Sequence, residues 1–261
     1  MIWIVLPAYN ESLSIEPLFK RFAAARQEIG EEFKIVVVDD GSSDDTAAKA
    51  TSVAASYNLE LLLIQHKVNS GLGETIKTGL TTFLQQSKNG DFCCTMDCDN
   101  TQPPELMKQM IDLARKDNLD IVVASRYQNG SDVKGLSLFR IALSQGASTL
   151  FQLCAPIPGL KDYTCGFRLY KRAFMERLAK TYGNQLFTEK GFSCMADILL
   201  KSRRLNPRVA EVAMVLRYDE KLGESKMKVF RTIFLTLQLL AKHLSGAAVP
   251  ESGLIEKSTK S

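Results

Sequence analysis

Histidine is almost missing from this chain: His66 and His243 are the only two in 261 residues. Neither lies close in sequence to the polar clusters described below, so histidine-based acid/base or triad chemistry is not expected. The six cysteines (Cys93, Cys94, Cys98, Cys154, Cys165 and Cys194) contain no CxxC pair. A zinc site needs paired cysteine and histidine ligands, and with only two histidines it is not expected either. Three of these cysteines sit in or beside an apolar strand, which favours small buried thiols in a reduced cytosolic chain. No run of about 18 uncharged apolar residues occurs, so no spanning helix is expected. The N-terminus has no basic region and no small-residue cleavage site, so no cleaved leader is expected. There is no GxxxxGK[ST] loop and no GxSxG elbow, and Gly71-Leu72-Gly73 is followed by Ile76 where a dinucleotide fingerprint needs glycine. Excess charge is slight, at +4, which argues against a nucleic-acid partner. The excess is local: residues 161–216 carry 11 Lys/Arg against 5 Asp/Glu. Such a stretch is either a solvated face or a surface turned to an anionic substrate or membrane.

What is present is a rhythm. Apolar strands (IWIVLPA, KIVVVDD, LELLLIQH, DFCCTMD, DIVVAS) alternate with helical segments. The first helix, 12–29, carries Ile15, Leu18, Phe19, Phe22 and Ala23 at helical spacing. A second starts at Asp44, a third follows NSGLG, and a fourth has proline just inside its start. This order predicts an α/β fold with a mostly parallel, Rossmann-like sheet and helices on both faces. After Arg126 the rhythm changes. Residues 136–155 and 229–244 read as helices, too short or too charged to span a membrane, and suited to a core or a membrane interface. The expected division is a catalytic domain over 1–228, a C-terminal amphipathic helix over 229–245 and a loose tail over 246–261.

In open α/β sheets ligands bind at the carboxyl ends of the strands. Four of the five strands end in polar clusters: Pro7-Ala8-Tyr9-Asn10-Glu11, Asp39-Asp40-Gly41-Ser42, Asp97-Cys98-Asp99 and Ser125-Arg126. Asp97 and Asp99, two residues apart, can both reach one crevice, and their repulsion calls for a hard cation such as Mg²⁺ or Mn²⁺. Such an ion neutralises a departing diphosphate. Asp39, still on its strand, is placed to hydrogen-bond a base or ribose. Asp44 and Asp45 read as turn and helix-cap residues.

PAYNE, DDGSSDDT, DCDNTQPPE, ASRY, DYTCGFR and GESK, in this order, resemble family 2 glycosyltransferases of the GT-A fold, most closely those that use polyprenyl phosphates. The similarity runs from about residue 3 to residue 230. It implies inverting transfer of a hexose, with mannose from GDP-mannose favoured over glucose from UDP-glucose, onto a polyprenyl phosphate at a membrane surface. The donor set it implies is Pro7, Ala8, Tyr9 and Glu11 with Asp39 on the base, and Asp97, Cys98 and Asp99 at the diphosphate. Arg126 and Lys226 would complete it. Asp99 would hold the metal, with Asp97 and Thr101 beside it. Thr101 stands where relatives often carry glutamine as a second ligand, and Gln102 follows, so that ligand is open. Arg126, Arg140, Ser144 and Arg168 would grip the acceptor phosphate. Arg140 and Ser144 lie one helical turn apart, and guanidinium suits phosphate. Glu220 replaces an arginine usual in the family, leaving Lys221 or Arg217 to substitute. Catalysis would rest on Asp99, Arg126, Arg140 and Lys226. The resemblance also implies a peripheral protein on the cytoplasmic face of a membrane, recruited by its own helices or by a small membrane-anchoring subunit. Two alternatives stay open: transfer to a sugar hydroxyl, with Glu189 as base, and a non-catalytic nucleotide-sugar binding subunit.

Overall fold

A computed structural model describes residues 1–223 and 229–245. Strand β1 (Ile2–Ala8) lies between β2 (Phe33–Asp39) and β4 (Phe92–Thr95), parallel to both. Its side chains point alternately to both faces, and Ile2 to Leu6 are all buried. Helices cover the two faces, so the strand needs no polar alternation. Strand β3 (Glu60–Gln65) pairs parallel outside β2 and is only half-buried, as an edge strand. On the other side the order is β4, β7 (Arg168–Lys171), β5 (Ile121–Ser125) and β8 (Val209–Ala213). Only β7 runs antiparallel in this seven-stranded sheet. Strands β6 (Asp132–Lys134) and β9 (Val215–Arg217) form a separate parallel ribbon.

Helix α1 (Ser12–Ile29) buries Ile15, Leu18, Phe19 and Phe22, with Ala25 rather than Ala23 fully covered. It ends at Gly30, whose left-handed φ of 67° no β-carbon would favour and whose N–H caps the Arg26 carbonyl. Helix α2 (Thr46–Ser56) starts just after Asp44, whose carboxylate accepts the Thr46 amide at 3.0 Å, as a capping side chain does. Helix α3 (Leu72–Gln86) crosses β1 at Gly79. Helix α4 (Leu106–Lys116) begins after a turn at Pro103–Glu105, so its prolines precede the helix rather than opening it. Helices α5 (Leu138–Cys154), α6 (Arg172–Tyr182), α7 (Ser193–Arg203) and α8 (Val229–Leu244) complete the fold. The rhythm before Arg126 is as expected. The expectation contained none of β6 to β9, nor α6 and α7. Strand β7 is four residues long and β9 three, too short to show a period.

Helix α8 packs against α7 and α5, burying Leu239 and Leu240. His243 meets Asp197 at 2.8 Å and Lys242 meets Glu189 at 3.1 Å, tying α8 to α7 and to the loop before it. No described helix is long and apolar enough to cross a membrane. Cys93, Cys94, Cys98, Cys165 and Cys194 are buried thiols and Cys154 is half-buried. Burial pushes the Cys93 and Cys94 thiols up, away from the reactive thiolate.

Candidate functional site

Because β1, β2, β4 and β5 run the same way, their carboxyl ends bring residues 7–11, 39–42, 97–99 and 126 to one rim of the sheet. The loops there are tied together. Asn10, at a φ of 50° that asparagine tolerates, donates its amide to Ser42 Oγ and accepts the Ser43 amide on its side chain. The Glu11 amide donates to Thr46 Oγ1 at 2.8 Å, and its carboxylate accepts the Ser14 hydroxyl. Pro7 lines a crevice with Leu72, Ile76 and Asp97, and Ala8 is buried behind it.

The two aspartates of the second strand separate in role. Asp39 is 2% exposed and accepts the Ser42 amide at 3.0 Å, with Gln65 at 3.4 Å. Asp40 holds His66 Nδ1 at 2.7 Å and the amides of Ser70 and Gly71, so it braces the loop before α3. His66 in turn meets Thr78 at 3.0 Å. This histidine is a brace between β3 and α3.

Asp97 and Asp99 stand past the end of β4. Asp97 takes the Gln102 side-chain amide at 2.8 Å, while the Gln102 carbonyl accepts the Asp97 amide. Asp99 Oδ1 accepts the Thr101 amide and hydroxyl, the latter at 2.7 Å. Its Oδ2 receives the Lys221 ammonium. Thr101 and Gln102 thus support one carboxylate each. Burial, with repulsion from Asp99 and Glu11, pushes the Asp97 carboxyl up to about 7, against the pull of Lys221 and Arg126. Burial would lower the Lys221 ammonium, but Asp99, with Glu11 behind it, raises it above its ordinary value. Asp97 and Asp99 offer hard oxygen donors of the kind a small divalent cation takes, although among the described residues no three acidic, histidine or cysteine side chains converge as a complete metal cage. Cys98, between the two aspartates, is buried.

Of the cations open to substitute for the family arginine, the structure brings Lys221 into the site. Arg217 pairs instead with Asp219 and Glu220, both at 2.9 Å. Lys226 lies outside the described residues.

Arg126 follows β5. Its guanidinium forms a bidentate pair with Asp162, Nε at 2.8 Å and Nη2 at 2.7 Å, and reaches Thr164 Oγ1 at 2.6 Å. Asp162 is fully buried, and burial alone would raise its carboxyl. The Arg126 guanidinium outweighs that and holds it below the usual range. Thr164 touches Ser144 at 3.2 Å, and Ser144 accepts the Tyr127 hydroxyl at 2.9 Å. Arg126 and Ser144, 18 positions apart in sequence, are therefore joined through one threonine. Arg140, one turn before Ser144 on α5, lies with its guanidinium 5.5 Å from the Tyr218 ring centroid and donates to the Tyr218 hydroxyl at 3.2 Å. The Lys221 ammonium lies 5.6 Å from the same ring.

One expectation is overturned. Arg168 does not reach a phosphate site, because it is fully buried. It donates to the carbonyls of Met195 and Tyr163, the latter at 2.9 Å, and to the Tyr170 hydroxyl at 3.3 Å. Its place on antiparallel β7, between β4 and β5, turns it into the core. Glu189, the candidate base for a hydroxyl acceptor, is held by Lys242 at 3.1 Å and by Ser193. Sequence reasoning missed Asp162 as the partner of Arg126, and Tyr218. Asp162 opens the DYTCGFR motif, but nothing in that motif says which cation it meets, and a tyrosine before three charged residues carries no signal of its own.

The site is thus a rim of carboxylates and cations gathered at the strand ends of a mostly parallel sheet. The chain belongs to glycosyl transferase family 2, whose model matches residues 3–179. It is 32% identical over 232 residues to a dolichol-phosphate mannosyltransferase of Pyrococcus furiosus, covering 88% of this chain and 60% of that one. It is 27% identical over 237 residues to an undecaprenyl-phosphate 4-deoxy-4-formamido-L-arabinose transferase of Sodalis glossinidius, covering 91% of this chain and 66% of that one. The chain thus spans about two thirds or less of the length of these relatives. Among solved structures, its fold matches glucosyl-3-phosphoglycerate synthase of Mycobacterium tuberculosis in complex with Mn²⁺, UDP and phosphoglyceric acid. The TM-score is 0.63 at 19% identity, over 97% of this chain and 80% of the other.

Proposed function

We propose that this protein transfers a hexose from a nucleoside diphosphate sugar to a polyprenyl phosphate, with inversion at the anomeric carbon. The observation that carries this is the Tyr218 ring, which has the cation of the Asp99 corner, Lys221, and the cation of α5, Arg140, both against it. Two cations held against one ring at the rim suit a reaction in which both partners are phosphates. The named activities of the Pyrococcus and Sodalis relatives support the lipid-phosphate acceptor, and the name of the mannosyltransferase supports mannose as the sugar.

In this reaction an acceptor phosphate oxygen forms a bond to the anomeric carbon. The bond from that carbon to the diphosphate oxygen breaks, and the electron pair leaves with the nucleoside diphosphate. A phosphate monoester is already anionic near neutral pH, so no strong base is required. Pro7, Ala8, Tyr9, Glu11 and Asp39 would position the nucleoside, and Asp97, Cys98 and Asp99 the diphosphate. Arg126 is immobilised by Asp162 and offers a rigid edge beside Thr164 and Ser144. Arg140 would orient the acceptor from α5. Mg²⁺ or Mn²⁺ would be held by Asp97 and Asp99, with Thr101 aligning Asp99, and when bound supplies charge neutralisation for the leaving diphosphate. The Mn²⁺ and UDP of the Mycobacterium structure support that assignment. Lys226 would stabilise charge on the leaving diphosphate.

The acceptor fixes the setting. Leu138 and Phe139 on α5, and Phe234 and Leu237 on α8, are exposed apolar side chains on two helices that touch. They suit shallow insertion in a membrane surface, on which a small anchoring subunit could also act. The division into residues 1–228, 229–245 and 246–261 belongs to this proposal, and the last segment lies outside the described residues. The test is transfer of labelled sugar from GDP-mannose and UDP-glucose, in parallel, to a polyprenyl phosphate. The expected result is an organic-extractable product that EDTA abolishes. Label from neither donor, with nucleotide-sugar binding intact, would overturn the acceptor assignment.

A further inference from the structure

Both oxygens of Asp99 are engaged: Oδ1 by Thr101 and Oδ2 by the Lys221 ammonium. The segment that delivers Lys221 is braced against the loop that carries Asp99. The Arg217 amide donates to the Thr101 carbonyl at 2.9 Å. The Glu220 carboxylate joins Arg217 at 2.9 Å and Arg21 at 3.6 Å. Arg21 also donates to the Asn100 carbonyl at 3.2 Å and pairs with Glu105 at 2.8 Å. One arginine on α1 therefore contacts the residue next to each partner of the Asp99–Lys221 contact, Asn100 on one side and Glu220 on the other. Glu220 acts as the anchor that puts the next residue on Asp99. The Lys221 side chain is 11% exposed, which limits screening of the pair by salt.

A divalent cation on Asp99 must meet this ammonium. Two cations repel at one carboxylate in a partly buried corner, so the metal pays for evicting the lysine unless an anion is there to receive it. A diphosphate is such an anion. Lysine is a compact charge on a flexible four-carbon stem, able to move between neighbouring anions where a fork-shaped guanidinium is less adaptable. Resting on the metal-dependent reading above, we propose that Lys221 is a resident gate cation. It covers Asp99 in the free protein and shifts to the diphosphate when metal and nucleotide enter together. Divalent cation and nucleoside diphosphate should therefore bind cooperatively, each favouring the other by the same factor.

The test is titration of the full chain with Mn²⁺, followed by the electron paramagnetic resonance of free Mn²⁺, alone and with saturating GDP or UDP. Wild type is expected to bind Mn²⁺ weakly alone and at least about tenfold more tightly with nucleotide, within the usual range of coupling between sites. Lys221→Met should bind Mn²⁺ alone about 5- to 100-fold more tightly than wild type, with a correspondingly smaller gain from nucleotide. Lys221→Gln, which keeps a polar side chain, provides the same comparison should the methionine variant misfold by circular dichroism. Equal or weaker Mn²⁺ binding by the variants without nucleotide would overturn the gate, as would an undiminished gain on adding nucleotide. A wild-type chain and variants that bind no Mn²⁺ under any of these conditions would overturn the metal-dependent reading itself.

Discussion

Asp99 and Asp162 are both acidic residues touching a cation, yet their surroundings give them opposite parts. Asp162, itself fully buried, pairs with an Arg126 side chain that is 14% exposed, and also accepts the amides of Arg126, Thr164 and Cys165. Its removal strands a mostly buried guanidinium, so Asp162→Ala should cost about 3–5 kcal/mol in urea unfolding. Because its folded-state pKa is depressed, its contribution is present above the unfolded value of about 4 and lost as pH falls through the folded value. The Asp162→Ala deficit should therefore be full at pH 7 and shrink towards pH 3. A deficit constant across that range would mean that packing, not charge, explains it. Asp99 is at the rim, within reach of ligands. Asp99→Ala should lower transfer more than about a hundredfold, the scale of losing one preorganised electrostatic group. Near-wild-type turnover would remove Asp99 from the diphosphate site.

At the scale of elements, the close approach of α3 to β1 shows how packing can reverse a local preference. A β-carbon added at Gly79 would stand 2.3 Å from Val5 Cγ1, and Val5 is fully buried in the central strand. Alanine gains about 1 kcal/mol in helix propensity over glycine. Overpacking costs about 1–3 kcal/mol, and here the obstacle is a branched side chain on a strand with neighbours on both sides. Gly79→Ala should therefore lower stability in thermal unfolding. An increase would show that α3 can slide without penalty. Strand β7 makes the same point for topology. Its tetrapeptide Arg168-Leu169-Tyr170-Lys171 has little strand signature, yet it closes the sheet between β4 and β5 and buries an arginine. The periodic elements before it were legible because each repeats a pattern over several turns or residues.

At the scale of the whole molecule, the touching helices α5 and α8 both carry exposed apolar side chains, while α8 is locked down by Leu239, Leu240 and His243. The helix is therefore held in place while presenting Phe234 and Leu237 outward. Each half-exposed side chain, if buried in lipid, is worth about 1 kcal/mol. The double variant Phe234→Ser, Leu237→Ser should bind vesicles of anionic phospholipid about tenfold or more weakly in co-sedimentation. Its transfer to a short, water-soluble polyprenyl phosphate should be unchanged. Unchanged vesicle binding would move the membrane contact elsewhere.

Composition, strand rhythm and the polar residues after each strand determined the α/β class, the parallel sheet and the rim on which the site lies. Those features follow from local patterns: apolar runs make buried strands, and parallel strands put their carboxyl ends on one side. Only the tertiary structure decided which cation meets Asp99, that Arg126 answers to Asp162, and that Arg168 is core. Those outcomes depend on contacts between residues far apart in sequence, such as Asp99 with Lys221 and Arg21 with Glu220. A charged residue reads the same in sequence whether it ends facing a ligand or a buried partner; burial and the nearest opposite charge decide between them.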